Sequence, residues 1–116
     1  MTRPGGIGEV DLGRRVPLRI VDDNDRPDAA PGDAMVLTAQ GSDDRVWGYA
    51  FRCPGCGVET SLPLLSSPVQ PRPFWTVVAG DPRVASGLTI SPSIHHAAPQ
   101  GCGWHGWLRD GVLAPC

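Results

Sequence analysis

Glycine and proline interrupt this chain too often for any long helix. Its 116 residues include 15 glycines and 13 prolines, well above ordinary usage, and no segment sustains an apolar period near 3.6. Short strands joined by ordered loops remain. Residues 16–21 alternate and predict a first strand, with Pro17 at an edge because proline has no N–H for a ladder. Residues 34–39 and 45–52 predict a hairpin through 40–44. In its second arm Val46, Gly48, Ala50 and Arg52 share one face, and the core-seeking Trp47, Tyr49 and Phe51 share the other. A strand over 58–64, a proline-rich connector over 66–73 and strands at 74–79 and 88–91 follow. Asp110-Gly111 then closes a hairpin between 104–109 and 112–114, a pair suited to the positive φ angles of a type I′ turn. The expected fold is a small, mostly β single domain of about six or seven short antiparallel strands.

The second constraint is chemical. Cys53-Pro54-Gly55-Cys56 and Cys102-Gly103-Trp104-His105 each offer two metal ligands at the same spacing. A Cys-x-x-Cys turn brings both sulfurs to one ion at about 2.3 Å, and three thiolates with one imidazole complete a tetrahedral Zn²⁺ set. Cys53, Cys56, Cys102 and His105 are therefore the expected ligands, with Cys116 and His96 as substitutes for the fourth position. Four protein ligands leave no open position, which makes the zinc structural, one knuckle at a hairpin tip. Two disulfides are the rival reading, but residues 1–6 contain no apolar signal region. A redox Cys-x-x-Cys would open a helix, whereas residues 57–60 continue as extended chain.

Charge excludes more than it identifies. The formal net charge is −2, and all ten basic residues are arginine, a bias of high-GC coding. Residues 1–60 carry ten acids and seven arginines and residues 61–116 two acids and three arginines, so neither half has a basic stripe. Nucleic-acid binding then loses its main driving force, although Trp47, Trp75, Trp104 and Trp107 could stack on bases. No apolar run is long enough to span a membrane. Asp22-Asp23-Asn24-Asp25 lacks the glycine and glutamate of a calcium loop and reads as a solvated turn. Residues 1–15 hold Gly5, Gly6, Gly8 and Gly13, with Ile7, Val10 and Leu12 as anchors. Such a segment cannot offset its own ordering entropy. It is expected to be a flexible or partner-docking arm ahead of a zinc-stabilised β domain over 16–116.

Several of these pieces together resemble a known family. Phe51-Arg52-Cys53-Pro54-Gly55-Cys56-Gly57, Trp75, residues 88–94, Cys102 with His105, and Asp110-Gly111 are similar to domain-of-unknown-function family 6527. Its members are small phage and bacterial proteins, sometimes labelled ammonia monooxygenase. The resemblance spans residues 45–116 and implies a Cys-x-x-Cys paired with a later Cys-His half-site. With the composition, it implies a non-catalytic interaction or virion protein of a high-GC phage or prophage. Such a protein would bind a protein partner, a second copy of itself or a capsid, in the host cytoplasm or the virion. Two other functions compete. A zinc-dependent hydrolase would need one ligand off the metal and a base such as Glu59, Asp110 or His96. A zinc-knuckle nucleic-acid binder would need to overcome the net negative charge.

Overall fold

The expected first strand divides between two sheets. In a computed structural model that describes residues 10–23, 27–38, 45–64 and 74–116, β1 (Val16–Pro17) pairs with the chain's last strand. β2 (Arg19–Val21) joins a different sheet. Leu18 is the corner: its side chain is buried and its N–H bonds the Gly111 carbonyl at 2.9 Å.

Ten strands occur among the described residues, and no helix. One sheet has the order β1, β10 (Val112–Pro115), β9 (His105–Arg109), β8 (Ile94–His95). The second runs β2, β3 (Asp33–Thr38), β4 (Val46–Arg52), β5 (Glu59–Pro63). A ribbon of β6 (Thr76–Ala79) and β7 (Thr89–Ser91) completes the domain. The mostly β expectation holds. The count of about six or seven falls short of ten: residues 16–21 divide into two strands in different sheets, and Ile94–His95 forms a further strand, apart from β7, that pairs with β9. The antiparallel expectation fails at β2–β3, which is parallel. Parallel pairing requires the chain to return to the start of its neighbour between the two strands. Arg19 locks that pair through both donors to Asp33, Nε to Oδ1 at 2.8 Å and Nη2 to Oδ2 at 2.7 Å.

Alternation in β4 buries Tyr49 and Phe51 as expected, but Trp47 of the same face is only half-buried, and Val46 and Gly48 of the opposite face are buried. Tyr49 and Phe51 meet Ala34 and Leu62 of their own sheet, Ile94 and Leu108 of the other, and Leu18 around one small interior space. Asp110 (φ 50°) and Gly111 (φ 76°) form the β9–β10 turn as the sequence implies. The 40–44 turn, the 66–73 connector and Ile7 lie outside the described residues. Val10 and Leu12, the other expected anchors, are exposed. Their neighbours are held instead: Asp11 N–H bonds the Gly55 carbonyl at 2.8 Å, and Arg14 Nη1 the Pro54 carbonyl at 3.0 Å.

Candidate metal centre and serine–histidine pair

The β4–β5 connection is built as a knuckle. Gly57 N–H closes on the Cys53 carbonyl at 2.8 Å, and Cys53 N–H on the Val58 carbonyl at 3.0 Å. Gly57 takes φ 79°, a left-handed value that favours glycine. Gly55 is needed for a different reason: a Cβ there would sit 2.7 Å from Cys102 Sγ and 2.8 Å from Trp104 Cβ. The knuckle thus lies directly on the loop that precedes β9.

That loop brings the rest of the ligands. Ligand atoms of Cys53, Cys56, His96 and Cys102 all lie within 4.8 Å of one another. Cys53 Sγ is 3.6 Å from Cys102 Sγ, and Cys56 Sγ is 3.9 Å from His96 Nδ1. Metal–sulfur bonds of about 2.3 Å at tetrahedral angles put sulfurs about 3.8 Å apart, so the set fits zinc. All four cysteines are free thiols, which removes the disulfide reading. Cys53 and Cys56 are buried. Burial pushes the Cys53 thiol up to about 12, so thiolates there need a bound cation to balance them. Burial also lowers the His96 pKa and favours the neutral imidazole that a metal binds.

The fourth ligand in this group is His96, and the alternation of β9 explains it. Trp104 is fully buried, so the next side chain, His105, points to the other face of the strand. His96 N–H donates to the Trp104 carbonyl at 2.9 Å. Such a cross-strand pair carries its side chains on one face, which puts His96 with Trp104 on the inner side. Cys116 is exposed, and its backbone N–H bonds the His105 carbonyl at 3.0 Å. Neither Glu59, at the open start of β5, nor Asp110, in the β9–β10 turn, belongs to the metal group.

On the outer face His105 has a different partner. Its Nε2 is 2.8 Å from Ser93 Oγ, and its ring lies 4.8 Å, centroid to centroid, from that of His95. His95 and His105 are opposite each other in the β8–β9 register. Ser93 is fixed from behind, because Trp75 Nε1 donates to its carbonyl at 3.3 Å. The hydroxyl of a half-buried serine bonded to an exposed imidazole is the minimal arrangement for an activated nucleophile. Sequence reasoning missed Ser93. It stands in the 88–94 stretch that carried a resemblance, yet nothing in its composition distinguishes it from Ser91.

Comparison with known proteins now adds a family. Residues 21–116 match the family model described as bacterial ubiquitination-like system serine protease (BubE). The match covers most of the chain, and the chain belongs to that family. No curated protein matches, and no solved structure matches. The family match overturns the assignment to domain-of-unknown-function family 6527. The phage virion reading falls with it, as does the preference for a non-catalytic protein. Of the earlier readings, a hydrolase fits the family better. The residues that suggested otherwise form the knuckle, the β7–β8 stretch and the terminal turn, which are parts of a scaffold and carry no information about a virion.

Proposed function

We propose that this member of the family is a serine hydrolase of acyl linkages in a ubiquitination-like system, with Ser93 as nucleophile and His105 as general base. One observation carries the reading: the 2.8 Å contact between Ser93 Oγ and His105 Nε2 on an exposed face. With the ring proton on Nδ1, Nε2 accepts the hydroxyl proton as Oγ attacks the carbonyl carbon. The tetrahedral adduct collapses to an acyl-Ser93 ester while the imidazolium returns the proton to the departing amine or alcohol. Water, activated by the same Nε2, then releases the acid and restores the serine. Packing of His95 against the His105 ring limits the imidazole's rotation and keeps Nε2 on Ser93.

The metal set serves this chemistry from a distance. Zinc bound there supplies a cross-link, since four protein ligands leave no position for water. Cys53 and Cys56 come from the tip of one sheet, His96 and Cys102 from the end of the other. His96 and Cys102 flank the short β8–β9 pairing on which Ser93 and His105 sit. A two-residue strand such as β8 is marginal alone, so a clamp at its end holds the pair in register.

A fluorophosphonate probe tests the reading. It should label Ser93 once per chain, and Ser93→Ala should abolish labelling with the fold intact by circular dichroism. Labelling that persists in Ser93→Ala would remove this serine from the mechanism.

A further inference from the structure

Alternation in β9 does more than expose His105. Gly106 and Leu108 are buried, so His105, Trp107 and Arg109 form one outward row. The β8–β9 register pairs His95 with His105 and Ile94 with Gly106. Continued by one residue, it sets Ser93 beside Trp107. On the other side β10 places Ala114 against Trp107 and Val112 against Arg109. Ala114, Val112 and Trp107 are all half-buried, and together they make an apolar strip that begins at the nucleophile. The Arg109 guanidinium carbon lies 4.1 Å from the Trp107 ring centroid. The contact restrains the guanidinium over the ring, and a planar guanidinium so placed keeps edge donors to offer a carboxylate. Among the described residues no ion pair occupies Arg109.

Resting on the Ser93–His105 reading, we propose that Trp107 and Arg109 form a substrate subsite that selects an acidic residue close to the scissile bond of a polypeptide. The reach follows from the strand. Arg109 is two residues beyond Trp107, about 7 Å along β9, so the recognised carboxylate lies within about three residues of the reacting carbonyl. An extended chain crossing the row lays apolar surface on Trp107, Val112 and Ala114. A glutamate or aspartate side chain then reaches the guanidinium edge. Only a planar, doubly donating cation already fixed by stacking offers a carboxylate two parallel hydrogen bonds here. Asp110, the next residue in the chain, tempers the positive field and keeps the preference moderate.

The test uses the intact chain and a matched set of internally quenched peptides. Each carries Glu, Gln or Lys at one of three positions on either side of the cleaved bond. At one position Glu should be cleaved about ten-fold faster than Lys, as attraction to Arg109 is exchanged for repulsion. Arg109→Gln should bring that ratio close to one, Arg109→Glu should invert it, and Arg109→Lys should keep part of it. Added salt should shrink the ratio in the parent protein. Melting temperatures check that each variant folds. A fluorophosphonate without a peptide reports Ser93 reactivity separately. If it labels Ser93 but the peptides are uncleaved, or are cleaved without charge preference, the subsite is refuted and the serine reading stands. If it fails to label the parent, both fall together.

Discussion

Exchanging the two candidate histidines for alanine separates the candidate metal centre from the Ser93–His105 pair. His96 sits on the inner face, 3.9 Å from Cys56 Sγ, whereas His105 sits on the outer face, 2.8 Å from Ser93 Oγ. Structural zinc sites contribute about 10–16 kcal/mol of apparent binding energy that is also folding energy. A small domain has only about 5–15 kcal/mol in total. His96→Ala leaves three thiols in a site whose burial pushes Cys53 up to about 12 without a cation. Losing even about 3 kcal/mol of the site's contribution lowers the melting temperature by roughly 10 °C or more. His105→Ala, by contrast, removes an exposed side chain that no core contact uses. Its melting temperature should move by no more than about 2 °C, the usual range for a surface change. Its rate of Ser93 labelling should fall by at least about a hundredfold. Metal analysis of the purified variants, with thermal melts and labelling rates, reads all three quantities. Loss of zinc in His105→Ala with retention in His96→Ala would refute the assignment of faces on which both sites rest.

Two further outcomes follow from single contacts. Gly55→Ala places a methyl 2.7 Å from Cys102 Sγ; it should cost about 1–3 kcal/mol and weaken zinc retention against a chelator, and a parent-like chelation midpoint would contradict it. Tyr49, whose hydroxyl donates to the Pro82 carbonyl at 2.6 Å, is held by burial, and by the nearby Asp81 charge, up to about 12. An unfolded tyrosine titrates near 10, so the neutral phenol contributes stability that is complete below about pH 10 and lost as pH rises towards 12. Urea midpoints of the parent protein should therefore fall across that window more steeply than those of Tyr49→Phe, and parallel curves would rule the mechanism out.

How much was legible beforehand depended on whether a feature was local. The Asp110-Gly111 turn, the Tyr49 and Phe51 core face and the Cys53–Cys56 knuckle each depend on residues within one turn or strand, and each is where periodicity put it. Cys-x-x-His spacing puts His105 first among the fourth-ligand candidates and His96 only as a substitute, although 104–109 already reads as a strand. Buried Trp104 and Leu108 on one side of the strand already send His105 to the other. That signal was present in the alternation. His96 had no comparable signal, since β8 is too short to show a period and the 97–101 turn that brings Cys102 back is long-range information. Ser93 was illegible for the same reason. Its partner is twelve residues away, and only the β8–β9 register sets them side by side.

The two sites share strands and occupy opposite faces, and this has a consequence for how each tolerates change. Residues of odd number from 105 to 109 face outward, towards Ser93; Gly106 and Leu108 face the core, and at the strand's end Trp104 and Cys102 close on the knuckle. Gly106 is what lets the faces coexist at such close range. A Cβ there would lie 2.5 Å from the Trp104 ring, so the backbone bearing His105 rests directly on the residue that seals the metal site. Displacement of the knuckle is therefore passed through Trp104 to the β9 backbone, which has no slack to absorb it. The outer row has no such constraint. Trp107 and Arg109 project from a strand already fixed on its inner side, and they can vary in size and charge without disturbing zinc. On the proposed reading, substrate preference is thus free to change on a scaffold that keeps Ser93 and His105 in place.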